Sequence, residues 1–228
     1  MKHRDVRTEL IEVCRWLAQR AFVAADDGSV SAKAAPDQIL ITPRGKSLGR
    51  ITPDQLIQCH LEEERLGGEV EPSPALRLHL AAYLQRTEIT AVIQAQPPAA
   101  TAFAVAGIPL VQPILPETVL TLGSVPMVSY ATPFTAEAAQ AIGQSILGHD
   151  ALLLKNRGIV TVGLDLMDAL QKLERVEQLA SVLLAAKSLD HIDILSGNQV
   201  NKLLALRENL KLRGKNPWVM PHQEKKNG

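Results

Sequence analysis

Short apolar runs alternate with longer amphipathic stretches along almost the whole chain, and no Pro/Gly-rich linker or internal repeat interrupts them. Apolar residues at helical spacing predict a first helix over residues 4–22 and a long helix after the run "DALLLKNRGIVTVG". Interleaved helices and strands are typical of a sheet with helices on both faces. We therefore expect a three-layer α/β/α fold as a single domain over residues 1–197. A C-terminal helix and a mobile tail at residues 198–228 should belong to the same domain.

Turn and cap signals place several of these elements. The turn "NRG" between two short apolar runs predicts an antiparallel pair of strands within the sheet. Thr52, followed by a proline, predicts the start of one helix, and Ser73, also followed by a proline, predicts the start of another. The stretches "IPLVQPIL" and "VPMVSYA" are strand-like.

Composition excludes several classes of function. The chain carries 24 basic and 24 acidic side chains, and this zero net charge argues against nucleic-acid binding, as does an aromatic content of 3%. No apolar run reaches the roughly 18 residues of a membrane-spanning helix, and the charged N-terminus lacks the apolar core of a signal peptide. Cys14 and Cys59 do not make a disulfide framework. We expect a cytoplasmic protein with no nucleic-acid or membrane partner.

Two glutamines end the apolar run in "AVIQAQPP". Residues two apart in a strand point to the same face, so Gln94 and Gln96 should lie side by side at the carboxyl end of a buried strand. Open α/β folds often place ligand sites at that end. The chain has neither a G-x-G-x-x-G motif after a strand nor a P-loop lysine motif, so nucleotide binding of those kinds is unsupported.

Six segments in a fixed order resemble the class II aldolase/adducin family over about residues 8–190. The segments are "DDGSVSAK", "ILITPRGKSLGRITPDQL", "EPSPALRLHLAAYLQR", "ITAVIQAQ", "LGSVPMVSYATPFTAEAAQAI" and "DALLLKNRGIVTVGLDLMDAL". The resemblance implies a central, largely antiparallel mixed sheet and an ancestry among sugar-phosphate lyases and epimerases. It also implies a homotetramer with the active site between neighbouring subunits.

The same resemblance places the chemistry of the family on residues that cannot perform it. The family's metal-binding histidine pair falls on Gln94 and Gln96, its third metal-binding histidine on Arg157, and its acid/base glutamate on Ala75. Zinc takes imidazole, thiolate or carboxylate ligands, a permanent cation repels a dication, and alanine cannot transfer a proton. We therefore expect no catalytic residue intact, no metal and no other cofactor. The chain is interpreted as a pseudoenzyme of carbohydrate metabolism that has lost zinc-dependent aldol cleavage.

The family's phosphate-binding elements are better preserved. They fall on Gly28, Ser29, Thr42, Arg44, Gly45 and Ser73. A family asparagine has become Ser29 and a second serine has become Pro74, which removes one amide donor. An anion near a helix N-terminus remains favourable, so a small anionic ligand resembling a sugar phosphate is expected at these residues and Arg157. In the alternative reading the glycines serve turns, Ser73 caps a helix and Arg44 is a solvated loop residue.

Arg157 is open to two interpretations. Its guanidinium could replace the charge of the metal and offer a donor fork to a carboxylate or phosphate, with the glutamine oxygens orienting it. Alternatively, the three side chains fill the emptied metal site and satisfy their own polar groups. Two other functions remain possible besides that of a binding protein. One is an active sugar-phosphate aldolase or epimerase with a rearranged zinc site, and the other is metal-free chemistry built around Arg157.

Other histidines could in principle rebuild a site. His79 lies one helical turn after Ala75 and could face the cleft, but an isolated histidine is not a zinc site and packing inside the subunit is the favoured interpretation. His3 and His222 lie near the chain ends, and nothing specific supports a role for them.

Overall fold

The computed structural model describes residues 5–62 and 70–218. In that part of the chain seven strands form one mixed sheet of order β3-β2-β1-β4-β7-β6-β5. The strands are β1 Ser29–Ala35, β2 Gln38–Ile41, β3 Ile57–His60, β4 Ala91–Ala95, β5 Met127–Val128, β6 Ala151–Leu154 and β7 Gly158–Gly163. Every neighbouring pair is antiparallel except β5 and β6, which run parallel. The expected largely antiparallel mixed sheet is confirmed.

Helices cover both faces of the sheet, as the alternation of elements predicts. The α-helices are α1 Val6–Gln19, α2 Leu76–Gln85, α3 Pro98–Ala106, α4 Pro116–Thr121, α5 Ala136–Ile146, α6 Leu166–Lys187 and α7 Gly197–Asn209. One core joins α1, α3 and α6 to the face that carries Ile93, and a second joins α2 and α5 to the face that carries Val92. Neighbouring residues of β4 thus enter opposite cores, and the three-layer prediction is confirmed.

The helix predicted after Thr52 is wrong. A single 3-10 turn, Pro53–Gln55, begins there, and the chain then enters strand β3. Gln55 reaches back to accept a hydrogen bond from the Thr52 amide at 3.2 Å, so the start signal is genuine. The residues that follow alternate between buried and half-buried positions, a period of two that extends the sheet rather than a helix.

The stretch "IPLVQPIL" is also mispredicted as a strand. Its contribution to the sheet region is an isolated bridge between Leu110 and Val125. Pro109 and Pro113 cannot donate to a ladder, which limits strand pairing here. The short helix α4, which follows, has no counterpart in the prediction.

The C-terminal segment is anchored at the end of the sheet where β6 begins. The amide of Lys215 donates to Asp150 at 3.0 Å, and the carbonyl of Pro217 accepts from the amide of Ser124 at 2.8 Å. These residues were expected to be mobile, and they are instead hydrogen-bonded to the body of the fold. Residues 219–228 of the predicted tail, together with His3 and His222, lie outside the described residues. None of the helices in residues 5–62 and 70–218 combines the length and the apolar character needed to cross a bilayer.

Candidate functional site

A cavity of about 430 Å³ opens at the carboxyl end of β4, beside the N-terminal ends of β1 and α2. Eight of the ten candidate site residues predicted from the sequence line this cavity: Gly28, Arg44, Gly45, Ser73, Ala75, Gln94, Gln96 and Arg157. The other two, Ser29 and Thr42, are completely buried and are absent from the cavity lining. Residues from five separate segments of the chain therefore converge at the predicted place.

A glycine turn brings Arg157 against the end of β4. Asn156 adopts the left-handed conformation with φ of 59°, and Gly158 has φ of 122°, so both positions favour residues that tolerate positive φ. A Cβ at Gly158 would collide with the carbonyl oxygen of Ala95. The amide of Arg157 closes the turn by donating to the carbonyl of Leu154 at 2.9 Å. Close packing of this turn on β4 is what sets Arg157 beside the glutamine pair.

The polar groups of Gln94, Gln96 and Arg157 do not all find hydrogen-bond partners within the protein. Three buried atoms make no hydrogen bond: Nε2 of Gln94, Oε1 of Gln96 and Nη2 of Arg157. Gln94 is only 4% exposed, whereas Gln96 and Arg157 are half-buried. Buried polar atoms are bonded in the great majority of cases, and leaving one unmet costs about 1–3 kcal/mol. The cluster therefore leaves two donors and one acceptor unmatched in residues beside a cavity, which makes this a candidate ligand site.

An aromatic side chain that sequence reasoning did not identify covers Arg157. The ring centroid of Phe134 lies 4.9 Å from Cζ of Arg157, within the range of a cation–π contact. Phe134 has φ of 68°, an uncommon conformation for a bulky residue, and its side chain is about half exposed. Burial lowers the pKa of Arg157 from its ordinary value. A guanidinium nevertheless stays charged at neutral pH.

His79 belongs to the support of the site and not to its lining. It is fully buried, with Nε2 2.7 Å from Oγ of Ser29 and Nδ1 2.7 Å from Oγ of Ser31. The Ser31 hydroxyl continues the chain to the hydroxyl of Tyr83 at 2.8 Å. Burial, assisted by the charge of Arg157, lowers the pKa of His79 to about 3, so the ring is neutral. The expectation that His79 packs inside the subunit agrees with this geometry.

The predicted phosphate-binding residues divide into two groups. Gly45 lies at the cavity with φ of 66° and open space where a Cβ would be, so an anion can approach its backbone closely. Ser73 also lines the cavity, but its amide already donates to the carbonyl of Thr42 at 2.9 Å. Arg44 pairs with Glu71 at 2.7 Å, and both side chains are exposed. A ligand anion would therefore compete with Glu71 for Arg44.

The residues present do not fit a zinc ion. Among the described residues no group of three histidine, cysteine, aspartate or glutamate side chains is close enough to hold a metal. The polar side chains at the end of β4 are two neutral amides, Gln94 and Gln96, and the guanidinium of Arg157, which offers donors only. Zinc is held by nitrogen, thiolate or carboxylate ligands, so this set suits an anion better than a dication.

Sequence reasoning also missed three cavity-lining residues besides Phe134. Asp26, Asp27 and Pro133 contribute to the same wall, and both aspartates are exposed at the mouth. Asp27 precedes the turn glycine Gly28, and Pro133 precedes the cap of α5. In the sequence, Asp27 indicates a turn and Pro133 indicates a helix start, and neither pattern predicts that the residue lines a cavity.

Comparison with known proteins identifies the family of this fold. The family profile "Class II Aldolase and Adducin N-terminal domain" matches residues 8–184. An L-fuculose phosphate aldolase of Methanococcus maripaludis is 32% identical over 77% of this chain and 94% of its own. A 3-oxo-tetronate 4-phosphate decarboxylase of Haemophilus influenzae is 28% identical over 76% of this chain and 84% of its own. A solved L-fuculose 1-phosphate aldolase superposes with a TM-score of 0.83 at 26% identity, covering 93% of this chain and 99% of the other.

Proposed function

Because the chain belongs to the class II aldolase and adducin family, we propose that its cavity binds a small acidic sugar phosphate and does not carry out zinc-dependent aldol cleavage. The observation that carries the proposal is the pair of buried, unpartnered donors, Nε2 of Gln94 and Nη2 of Arg157, in residues that line the cavity. A planar guanidinium matches a carboxylate with two parallel hydrogen bonds. The ligand's carboxylate or carbonyl oxygens would thus occupy the place of the metal.

The phosphate of the ligand is assigned to the other side of the cavity. The backbone of Gly45 has open space where a Cβ would lie, and Ser73 and Ala75, which precede the first residue of α2, line the cavity. Helix N-termini favour anions through their amides and dipole. The relatives' names support a phosphorylated ligand, since one acts on L-fuculose phosphate and another on 3-oxo-tetronate 4-phosphate.

Calorimetry on metal-stripped protein tests this function. The probes are a four-carbon phosphorylated sugar acid, the same acid without phosphate, and inorganic phosphate. The phosphorylated acid should bind most tightly, and Arg157→Gln should weaken it about 10- to 100-fold, the range for one charged hydrogen-bonding partner. The exposed Arg213 lies at the opposite end of the sheet, near Asp150, so Arg213→Gln should leave the affinity unchanged. Equal affinity of the wild type and of Arg157→Gln for the phosphorylated acid would contradict the proposal.

Metal analysis separates the proposal from an active, rearranged metal enzyme. Wild-type protein purified in the presence of zinc and manganese should carry well under one ion per chain, because the donor set at Gln94, Gln96 and Arg157 is unsuited to them. A stoichiometric ion together with cleavage of a ketose phosphate would establish the sugar-phosphate aldolase instead.

The assembly and the compartment of the protein form a separate part of the proposal. We propose a homotetramer and a cytoplasmic location, since members of this family are often homo-oligomers and both cysteines are buried within the fold. A groove of about 400 Å³ between α2 and α5 carries the 62% exposed Leu84, so this face supports contact with another copy. Light scattering coupled to gel filtration measures the mass directly, and a monomer at working concentration would overturn the tetramer.

A further inference from the structure

We propose that His79 is a positioning residue, held with its proton on Nε2 by a buried hydrogen-bond relay that ends beneath the cavity at Ser29 and orients the amide of Gln94. The inference deepens the proposed function and rests on it, because it accounts for the donor that Gln94 offers to an acidic ligand. The position of the proton is measured without any ligand, so failure of this inference and failure of the proposed function can be told apart.

Four side chains between β1 and α2 form the relay. Ser29 and Ser31 lie two residues apart on one face of β1. His79 and Tyr83 lie one turn apart on α2. The Ser29 hydroxyl contacts Nε2 of His79 at 2.7 Å. The Ser31 hydroxyl contacts Nδ1 of the same ring at 2.7 Å and the hydroxyl of Tyr83 at 2.8 Å. All four side chains are at most 1% exposed, so their polar groups depend on partners inside the fold.

The order of the hydrogens in the relay depends on which ring nitrogen of His79 is protonated. The ring is neutral, because burial and the charge of Arg157 lower its pKa to about 3, so one nitrogen donates and the other accepts. If Nε2 carries the proton, Ser31 must donate to Nδ1 and Tyr83 must donate to Ser31. The hydroxyl hydrogen of Ser29 is then left over. If Nδ1 carries the proton, Ser29 donates to Nε2, and the hydrogen left over belongs to Ser31 or Tyr83.

A hydrogen left over at Ser31 or Tyr83 would lie in the core without an acceptor. Burial raises the pKa of Tyr83, and hydrogen bonds with Ser31 and with the backbone of Val92 lower it. A backbone group lowers the pKa of a phenol only as an N–H donor, so Val92 cannot take the phenol hydrogen. Neither hydroxyl has a further hydrogen-bond partner among residues 5–62 and 70–218. Because an unmet buried donor is costly, the form protonated on Nδ1 is disfavoured.

A hydrogen left over at Ser29 has an acceptor within reach. Ser29 pairs with Gln94 across β1 and β4, and residues opposite each other in such a pair have Cβ atoms about 4.5–5.5 Å apart. In the structure the Gln94 amide lacks a hydrogen bond to Ser29, and its Nε2 is unpartnered. Rotation about the last torsion of glutamine, which is broad, brings the amide oxygen to the Ser29 hydroxyl. Gln94 then presents Nε2 to the ligand.

The proton position on His79 therefore sets the polarity of this end of the cavity. With the proton on Nε2, Gln94 shows a donor beside the guanidinium of Arg157, which also offers donors only, and both suit a carboxylate. With the proton on Nδ1, Ser29 could only accept a hydrogen bond. The amide of Gln94 would then turn its oxygen toward the ligand and repel a carboxylate.

Nitrogen NMR of isotope-labelled imidazole rings at pH 7, without ligand, tests the proton position. The chain has six histidines, and the signals of His79 are those absent from His79→Gln. We expect the form protonated on Nε2 to exceed the other about 10-fold, the ratio for one buried hydrogen bond. Gln94→Leu removes the acceptor for Ser29 and should bring the ratio toward one, whereas Tyr83→Phe should leave Nε2 protonated. A wild-type ring protonated on Nδ1, or a ratio that Gln94→Leu does not change, would overturn the inference.

Calorimetry with the phosphorylated sugar acid tests the consequence for binding. Ser29→Ala and Ser31→Ala each remove one hydroxyl from His79, so both variants should lose stability. Ser29→Ala also releases the amide of Gln94 and should weaken binding about 3- to 10-fold, whereas Ser31→Ala should bind as the wild type does. Equal affinities of the two variants would contradict the role of Ser29 in orienting Gln94. If the acid fails to bind to the wild type while the Nε2-protonated form dominates and responds to Gln94→Leu, the proposed function is wrong and this inference stands.

Discussion

The surroundings of His79 disfavour the protonated, charged form of its ring. Both of its ring nitrogens are engaged by serine hydroxyls, and it is buried beneath the cavity that Arg157 lines. A positive charge at His79 would lose its hydration and would also be repelled by the guanidinium. The neutral ring therefore acts as a fixed spacer between α2 and β1.

Stability should fall steeply in acid because of this residue. The pKa of His79 is about 3 in the folded protein, against an ordinary 6.5. Between those two pH values the unfolded chain binds a proton that the folded protein excludes. The free energy of unfolding should thus drop by about 1.4 kcal/mol for each pH unit below 6.5, and the loss should end near the folded pKa.

Urea unfolding of wild type and His79→Gln from pH 7 to pH 4 measures the effect. Carboxylates titrate in both proteins, so the informative quantity is the difference between the two slopes. The variant should be less stable at pH 7 and should lose less stability on acidification. Parallel curves would show that position 79 does not contribute to the pH dependence.

Gly158 gives a second prediction at the scale of one residue. Gly158→Ala places a Cβ against the carbonyl of Ala95 at φ of 122°, so it should cost more than about 2 kcal/mol of unfolding free energy. Gly148→Ala is the matched control, because nothing lies within 4 Å of a Cβ there, and its effect should stay within about 0.5 kcal/mol. Chemical denaturation measures the free energy of unfolding of both variants. Equal values would contradict the packing described for the turn.

At the scale of elements, the start of β6 is held by a buried charge network. The two oxygens of Asp150 contact Nη1 of Arg86 at 2.5 Å and Nζ of Lys172 at 2.8 Å. Arg86 is the C-cap of α2 and Lys172 belongs to α6, so Asp150 joins helices from the two opposite layers. All three side chains are at least 95% buried.

Asp150→Asn should destabilise the protein by about 3 kcal/mol, since it leaves two buried cations without their shared counter-charge. Glu71→Gln provides the contrast, because it breaks an ion pair with Arg44 whose two members are exposed, and it should change stability by less than about 1 kcal/mol. Melting temperatures and urea midpoints report both changes. A small effect at position 150 would contradict this and would mean that Glu88 and Asp168, which also pair with Arg86 and Lys172, suffice as counter-charges.

Prediction from sequence works where the signal is local and periodic. The period of two places Gln94 and Gln96 on one face, and the alternation of elements gives the three layers. The prediction after Thr52 fails because a cap signal is shared by a 3-10 turn and an α-helix. Phe134 is missed because its role depends on a contact with the distant Arg157 and on a positive φ that no local rule assigns to phenylalanine.

In the whole molecule, the candidate site and the anchored C-terminal segment lie at opposite ends of the same strands. β6 begins beside Asp150, where the C-terminal segment is tied down, and ends at Leu154, from which the turn carries Arg157 into the cavity. The amide of Lys215 is the donor that fastens the segment to Asp150. Stability and ligand binding should therefore respond to different substitutions.

Lys215→Pro tests this separation. Proline removes the amide donor at 3.0 Å from Asp150 and should cost about 1–3 kcal/mol, whereas Lys215→Ala keeps the donor and should cost little. Both variants should bind the phosphorylated sugar acid as the wild type does, when measured well below their melting temperatures. A loss of affinity in Lys215→Pro that Lys215→Ala does not share would show that the two ends are coupled.

The guanidinium at position 157 also fixes the order in which a zinc enzyme could be rebuilt on this scaffold. Histidines introduced first at Gln94 and Gln96 would face a permanent cation across the cavity, and a dication would be repelled from the new ligands. Arg157→His must therefore precede them, because it removes the repulsion and adds a ligand in one change. Directed evolution that starts from the glutamine pair should find no intermediate with improved metal affinity.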